Sequence, residues 1–295
     1  MRPDLRTADN PVMEVKPSPN VIGGEVTNVD LSAPLTEDLF AQLRDFFYER
    51  SVIAVRGQSL RPEDLLGFAG RFGEPDQLFL THYALPSHPQ VLVVSNIVED
   101  GKPVGFADAG RVWHSDGSYL ATPVAVTLLY ALEVPVEDDV VLGATQFASA
   151  WAAYEGLSPA MKARIAALSA VHEVAGRRRH LKSGKASDRA EEERQPDVVH
   201  PLVRTHDRTG RPYIFAAEGE CTRVLGMEDQ AGLALISELA HAVQAPEYRH
   251  THEWQVGDLL IWDNQAVQHL ATFDYEWPRH RRLMHRVTVP ESATR

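Results

Sequence analysis

Histidine and aspartate occur two positions apart at His114-Ser115-Asp116, within the segment RVWHSDGSY. In a strand, residues i and i+2 point to the same face, so an imidazole nitrogen and a carboxylate oxygen would converge there. Such a pair suits a single divalent cation. The pair alone is a weak signal, because a hydrogen-bonded His and Asp on a polar sheet face has the same spacing.

The C-terminal part of the chain supplies a third candidate ligand. The segment GDLLIWDNQAVQH, residues 257–269, reads as an apolar strand followed by a turn that presents His269. Two histidines and one aspartate, with other coordination positions open, form the facial triad typical of non-haem Fe(II) oxygenases. Zinc sites use the same ligand types, so a zinc hydrolase is an alternative.

Two arginines follow in the strand-like segment RRLMHRVTV, residues 281–289. Arg282 and Arg286 have the same parity, and such positions share one face of a strand. A buried guanidinium needs a partner, and no carboxylate stands beside either arginine in the sequence. An anionic ligand held by the guanidinium fork would satisfy them, and salt bridges to acidic side chains elsewhere in the chain are the alternative.

Short strands and helices must position these candidates. Strands are predicted at 25–31, 51–55 and 90–96, and β-like runs dominate after residue 111. Helices are predicted over the ranges 37–50, 62–73, 160–171 and 228–243. The order is not a regular alternation of strand and helix, which argues against a parallel doubly wound sheet. The pattern predicts a mainly β fold of the α+β class, an antiparallel barrel or double sheet with flanking helices.

The chain has 295 residues, 44% of them hydrophobic, and a formal net charge of −12. This acidic, globular composition argues against nucleic acid or an anionic membrane surface as a partner. We expect a cytoplasmic protein, because the sequence has one cysteine, Cys221, and no apolar run of about 18 residues. Residues 1–20 are expected to be a flexible arm, and the charged segment 176–198 a mobile loop or lid. Without repeats or a low-complexity linker, residues 1–295 are predicted to form a single domain.

Motifs spread along nearly the whole chain carry a family resemblance. They are IGGEVTNVDLS (22–32), RFGEP (71–75), WHSDGSY (113–119), LGATQFAS (142–149), SPAMKARI (158–165), HPLVRTHDRTGRPYIF (200–215), GDLLIWDNQAVQH and RRLMHRVTV. In this order they resemble the taurine dioxygenase / 2,4-dichlorophenoxyacetate dioxygenase family of Fe(II)- and 2-oxoglutarate-dependent oxygenases. The resemblance implies a double-stranded β-helix, or jelly roll, with Fe(II) as metal and with 2-oxoglutarate and O₂ as cosubstrates. It also implies hydroxylation of a small organic anion, a sulfonate or carboxylate, with release of succinate and CO₂.

The resemblance further implies roles for single residues. By motif position the iron ligands are His114, Asp116 and His269, the pair holding the distal carboxylate of 2-oxoglutarate is Thr145 and Arg282, and the substrate-contacting residues are Arg286, His82 and Tyr119. The chain departs from the family at Ala144, because residues 142–145 read LGAT where the family commonly has Gly-Gly-Asp-Thr. The loop that holds the cosubstrate therefore lacks an acidic residue of its own.

Several alternatives stay open beside hydroxylation, which in relatives leads to C–S or ether cleavage. An oxidase of the same fold would give desaturation or ring formation instead. A non-catalytic metal-binding barrel would bind a ligand without turnover, although such a protein has no need of a 2-oxoglutarate arginine. Relatives also suggest a homodimer or homotetramer, and no feature of the sequence decides between these states.

Overall fold

A computed structural model of the chain describes residues 12–77, 81–107, 109–174 and 196–291. The strands in these ranges are β1 (Glu14–Pro17), β2 (Gly24–Thr27), β3 (Val52–Val55), β4 (Ala84–Leu85), β5 (His88–Ser95), β6 (Val98–Glu99), β7 (Lys102–Pro103), β8 (Val124–Glu133), β9 (Val136–Glu137), β10 (Val140–Val141), β11 (Thr145–Ser149), β12 (Ser169–His172), β13 (Val198–Pro201), β14 (Val203–Thr205), β15 (Pro212–Ile214), β16 (Cys221–Val224), β17 (Arg249–His252), β18 (Leu259–Asp263), β19 (Val267–Ala271) and β20 (Leu283–Pro290). The helices are α1 (Glu37–Arg50), α2 (Pro62–Ala69), α3 (Ala150–Gly156), α4 (Pro159–Ile165), α5 (Asp229–Val243) and the short 3-10 helices η1 (Thr81–Tyr83) and η2 (Pro246–Tyr248). The prediction of a mainly β chain with helices is confirmed.

The largest sheet joins strands from both ends of the chain, in the order β1-β2-β3-β18-β8-β20-β5-β4. Its strand pairs are antiparallel except for β2 and β3, which run parallel. Strand β18 lies between β3 and β8, and all five of its residues are buried. Segments that are distant in sequence thus become neighbours at the centre of this sheet.

A smaller sheet has the order β17-β11-β19, and both of its pairs are antiparallel. In its register Phe147 lies opposite His269, and Thr145 lies opposite Ala271. A buried cluster joins this sheet to the large one through Phe147, Trp254, Trp262 and Met284. The small sheet therefore carries His269 and Thr145 and the large sheet carries Arg286, whereas His114, Asp116 and Arg282 lie outside the named strands.

Helices cover the other face of the large sheet because its strands alternate their apolar side chains between two sides. Helix α1 begins where the hydroxyl oxygen of Thr36 accepts the N–H of Leu39, and it ends at Ser51 in the left-handed conformation. It buries Phe40, Leu43 and other apolar residues in a cluster shared with α2, β8 and β18. Helices α3 and α5 pack with β12, β15 and β16 in a third cluster.

Expectations about local structure are wrong in the N-terminal arm and after helix α4. Residues 14–17, which were expected to belong to a flexible arm, form edge strand β1, paired with β2. All four residues of β1 are exposed, so the strand has no apolar alternation that a sequence pattern could reveal. The helix predicted over 160–171 ends at Ile165, and β12 forms beyond it because β13 and β16 pair with its two edges.

Most of the segment predicted as a mobile loop or lid, 176–198, falls outside the described residues, which resume at residue 196. In the described ranges, no helix combines the length and the apolar character that crossing a membrane requires.

Candidate active site

Three predicted ligands converge on one point of the interior. One ligand atom from each of His114, Asp116 and His269 lies within 4.8 Å of the others, and all three residues are buried. His114 Nε2 lies 3.6 Å from Asp116 Oδ1, and His269 Nε2 lies 3.8 Å from Asp116 Oδ2. Two imidazole nitrogens and one carboxylate form the donor set that suits Fe(II) with open coordination positions.

A backbone bridge and a turn bring these ligands together. The N–H of His269, in β19, donates to the carbonyl of His114 at 2.9 Å, and the N–H of His114 donates back to the carbonyl of His269 at 3.2 Å. The prediction of a strand around His114 is wrong beyond this bridge, because the chain turns over residues 116–119 and Gly117 has a φ of +66°. A Ser-Asp-Gly-Ser sequence favours such a turn. The turn, rather than strand alternation, directs Asp116 toward His114.

Neighbouring groups hold both imidazole rings in place. His114 Nδ1 lies 2.7 Å from the carbonyl oxygen of Val112. Because a carbonyl only accepts, Nδ1 carries the proton and Nε2 keeps its lone pair for a metal. The ring of His269 packs against Phe147 at 5.8 Å and against Trp262 at 4.9 Å between ring centroids. Both rings are therefore oriented by the protein itself.

A hydrogen-bond chain between the strands supports Asp116. Thr127 Oγ1 donates to Asp116 Oδ2 at 2.8 Å and accepts from Asn264 Nδ2 at 2.9 Å. Asn264 Oδ1 accepts from the backbone N–H of Asp116 and from Trp262 Nε1, each at 3.1 Å. Sequence reasoning missed Thr127 and assigned no role to Asn264. The available signal was a polar residue within or at the end of an apolar strand, where a buried polar group needs a partner.

Asp116 is ionised in this environment. Burial alone would raise the pKa of its carboxyl, but the nearby Arg286 guanidinium, together with His269 and His114, outweighs burial and holds the pKa well below its ordinary range. Arg286 Nη1 lies 3.3 Å from Asp116 Oδ1. An ionised carboxylate beside two imidazoles is the state that a metal requires.

A cavity opens beside the three predicted ligands. His114 and His269 line it together with Thr145, Arg282 and Arg286. Much of the remaining wall is apolar or small, and includes Val94, Ala107, Ala109, Leu129, Ala271 and Phe273. The polar groups predicted for metal and cosubstrate thus meet in one cavity with apolar walls.

The two arginines of this cavity have unused donors. Arg282 Nη1 donates to the carbonyl of Gly143 at 3.0 Å, and Nη2 lies 3.4 Å from Met284 Sδ. Within the described ranges, the buried Nε atoms of Arg282 and Arg286 have no hydrogen-bond partner. A buried guanidinium with unpaired donors favours an anionic ligand. The alternative, that acidic side chains pair with these arginines, applies in part to Arg286, whose Nη1 contacts Asp116. For Arg282, the described residues provide no carboxylate partner.

Thr145 is held by a residue that the sequence did not single out. Its hydroxyl oxygen accepts from Trp254 Nε1 at 3.0 Å, and the Trp254 ring is fully buried. The hydroxyl hydrogen of Thr145 is thereby left to donate elsewhere. A donor at this position, near Arg282, fits the binding of a carboxylate.

Two predicted substrate residues do not line the cavity. His82 is exposed, and its ring packs against Tyr83 at 4.1 Å. Tyr119 is buried at the end of the turn that follows Asp116. Neither belongs to the described lining of the cavity, in contrast to Arg286.

A second polar cluster lies behind the turn that carries Asp116. Ser118 Oγ donates to Glu220 Oε2 at 2.6 Å and lies 3.1 Å from His172 Nδ1. Burial lowers the pKa of His172 to about 3, so this imidazole is neutral at physiological pH. The cluster ties the turn to β12 without adding a charge on the histidine.

Comparisons with known proteins agree with this geometry. The profile of the taurine catabolism dioxygenase TauD, TfdA family matches residues 14–288. Pentalenolactone F synthase of Streptomyces arenae is 31% identical over 292 residues, which cover 93% of this chain and 94% of the relative. The alpha-ketoglutarate-dependent 2,4-dichlorophenoxyacetate dioxygenase of Cupriavidus pinatubonensis is 30% identical, covering 91% of this chain and 94% of the relative. A crystal structure of AAD-2 in complex with Mn(II) and N-oxalylglycine aligns with a TM-score of 0.78 and 25% identity, over 95% of this chain and 98% of that one.

The chain belongs to the TauD/TfdA family of dioxygenases. It is thus an oxidoreductase of the Fe(II)- and 2-oxoglutarate-dependent class, whose metal is Fe(II) and whose cosubstrates are 2-oxoglutarate and O₂. The donor set of the three buried ligands and the unpaired guanidinium donors fit this metal and this dianion.

Proposed function

We propose that the chain hydroxylates a small organic anion, a sulfonate or a carboxylate, while 2-oxoglutarate is converted to succinate and CO₂. The observation that carries the proposal is the placement of two arginines, the buried Arg282 and the largely buried Arg286, on the same cavity as the metal-binding group. A metal-binding group alone suits many reactions, whereas two guanidinium groups beside it suit two anions. The relative that is named for 2,4-dichlorophenoxyacetate, a carboxylate, supports this choice.

Each polar residue of the cavity has a role in this proposal. His114, Asp116 and His269 would hold Fe(II), which with 2-oxoglutarate and O₂ supplies the oxidising power that replaces a C–H bond by C–OH. Arg282 and Thr145 bind the distal carboxylate of 2-oxoglutarate. This contact directs the keto acid end of the molecule toward the three ligands.

Arg286 orients the substrate. Its guanidinium lies beside Asp116 and lines the cavity, so an anion bound to it lies next to the metal ligands. The apolar walls exclude water around the reacting carbon, so the anionic group of the substrate makes its main polar contact with the protein. Substrates of this kind are therefore held at one end and oxidised at a nearby carbon.

The product depends on the atom attached to the oxidised carbon. Hydroxylation next to sulfur or an ether oxygen gives an unstable product that breaks the C–S or C–O bond. Desaturation or ring formation is the second candidate reaction. It is retained because one relative is named as a synthase. Mass spectrometry of the product separates these outcomes, since hydroxylation adds one oxygen atom and desaturation removes two hydrogens.

The first experiment measures succinate release with Fe(II), 2-oxoglutarate and a panel of sulfonates and aryloxy acids. Release is expected to require all three components and to be lost in His114→Ala and Asp116→Ala. Iron binding by each variant is measured in parallel. Full turnover in either variant would overturn the proposed metal site, and metal binding without succinate from any anion would favour a non-catalytic barrel.

The second experiment assigns Arg286. Arg286→Lys keeps a positive charge near Asp116 but loses the bidentate fork, so we expect the substrate KM to rise roughly 10- to 100-fold while the 2-oxoglutarate KM changes little. Arg281→Ala is the matched control, because Arg281 is half-exposed and pairs with Glu133 outside the cavity. Equal increases in both KM values would contradict the assignment.

We also propose that the two facing sheets form a double-stranded β-helix, the jelly roll of this family, within a single domain. The shared interior cluster and a family match that spans residues 14–288 support this interpretation. Cooperative unfolding in a single calorimetric transition would be expected of one domain. We also propose that the protein is a cytoplasmic homodimer or homotetramer. Light scattering of the purified protein measures the mass of the oligomer.

A further inference from the structure

Asp274, in the segment between β19 and β20, contacts the loop that precedes Thr145. The N–H of Gly143 donates to Asp274 Oδ1 at 2.7 Å. From the same segment, the N–H of Thr272 donates to the carbonyl of Ala144 at 2.8 Å. Ala144 offers no carboxylate to this loop, and Asp274 supplies one from outside it.

The same loop also contacts Arg282, through the carbonyl group of Gly143. The carbonyl oxygen of Gly143 accepts from Arg282 Nη1 at 3.0 Å. In the described part of the chain this carbonyl is the one oxygen that accepts from the guanidinium, which also contacts the sulfur of Met284 at 3.4 Å and lies over the Trp254 ring at 5.8 Å from its centroid. The direction of Arg282 therefore depends on the backbone at position 143.

Gly143 cannot hold this position by packing of its own. Its φ is +72°, a region that glycine occupies without cost, and it has no side chain to contact its neighbours. A Cβ at this position would lie 3.0 Å from Tyr275 Cε1 and 3.1 Å from Arg282 Nη1. The loop is thus close to Arg282 and conformationally permissive, and contacts from outside it fix it, those of Thr272 at Ala144 and of Asp274 at Gly143. The hydrogen bond that the N–H of Gly143 donates to the Asp274 carboxylate is charge-assisted and fixes position 143 directly.

We propose that Asp274 is a positioning residue for 2-oxoglutarate, acting through Gly143 to direct the guanidinium of Arg282 at the distal carboxylate. The inference rests on the proposed function, in which Arg282 binds that carboxylate. Asp274 touches neither metal ligand nor cosubstrate in this scheme. Its effect is specific to the end of the keto acid that Arg282 holds.

The test compares two keto acids that differ at that end. Binding of 2-oxoglutarate and of 2-oxobutyrate, which lacks the distal carboxylate, is measured anaerobically by calorimetry on the Mn(II)-loaded full chain. In Asp274→Ala we expect 2-oxoglutarate to bind about 10-fold more weakly, the effect of losing one supporting hydrogen bond. Binding of 2-oxobutyrate is expected to be unchanged.

Further variants separate positioning from stability. Asp274→Asn retains an oxygen that accepts from Gly143 and is expected to restore most of the affinity for 2-oxoglutarate. Asp274→Glu keeps the charge but displaces it by one methylene, so it is expected to weaken 2-oxoglutarate binding. This variant tests the proposal independently if Asp274→Ala folds poorly. Asp45→Ala is the matched control, because its side chain is 76% exposed on α1.

The outcomes distinguish the inference from the proposed function. If the wild-type protein binds 2-oxoglutarate no better than 2-oxobutyrate, the role of Arg282 and the proposed function fail. If the wild type discriminates between them and all Asp274 variants discriminate equally well, the positioning role of Asp274 is overturned. Equal weakening of both keto acids in Asp274→Ala and Asp274→Glu also overturns it, because a general loss of structure has no preference for the distal carboxylate.

Discussion

Replacing Thr127 by valine is expected to weaken metal binding without changing the three ligands. Thr127 is fully buried in β8, and its hydroxyl donates to Asp116 Oδ2 at 2.8 Å. Valine has nearly the same shape but cannot donate, so Asp116 loses one charge-assisted hydrogen bond and Asn264 Nδ2 loses its acceptor. Loss of such a supporting partner typically costs 10- to 100-fold in metal affinity, or about 1.4 to 2.8 kcal/mol.

The assay is competition for Fe(II) with a chromogenic chelator under anaerobic conditions, with urea unfolding measured in parallel. We expect the unfolding free energy to fall by roughly 1–3 kcal/mol, because two buried polar groups lose their partner. Thr127→Ser is the matched control, since it keeps the hydroxyl and removes a methyl group. Unchanged metal affinity in Thr127→Val, or an equal loss in Thr127→Ser, would refute the reasoning.

Two further predictions concern stability. The pKa of buried His172 is lowered to about 3, so its contribution to stability is present above the unfolded pKa of about 6.5 and is lost as pH falls toward 3. Between pH 7 and pH 5, urea unfolding of the wild type is expected to lose about 2 kcal/mol more than that of His172→Gln, and equal losses would contradict this pKa. Gly143→Ala is expected to destabilise more than Gly210→Ala and to weaken 2-oxoglutarate binding as well. Both glycines have positive φ, but a Cβ at Gly210 meets nothing within 4 Å, so equal effects would argue against contact with Arg282.

The sequence was sufficient to predict the polar groups that meet in the cavity. Residue type and spacing suggested His114, Asp116 and His269 as a donor set and Arg282 and Arg286 as cations on one strand face, and the family resemblance supplied their individual roles. The local conformation was predicted less well. Asp116 faces His114 through a turn at Gly117 and not through strand alternation, although the two conformations bring the same pair together.

The supporting residues could not be predicted because they depend on strand register. Thr127 and Trp262 are paired positions of β8 and β18. This register places Thr127 within hydrogen-bond distance of both Asn264 and Asp116. Likewise, Asp274 reaches Gly143 only because the segment after β19 returns to the start of β11. Such contacts join positions more than a hundred residues apart in sequence. Local patterns indicate a buried polar residue, but they do not indicate its partner.

The charge of the cavity is opposite in sign to that of the whole chain, whose formal net charge is −12. Among the described residues at the cavity, Arg282 and Arg286 bring two positive charges and the adjacent, ionised Asp116 brings one negative charge, so one positive charge remains. A divalent metal adds two, and a 2-oxoglutarate dianion offsets those two. The remaining positive charge is costly to bury without a partner. A singly charged anion neutralises it, whereas an uncharged molecule leaves a buried cation and a dianion leaves excess negative charge. The balance of charge therefore supports our proposal that the substrate is a monoanionic sulfonate or carboxylate.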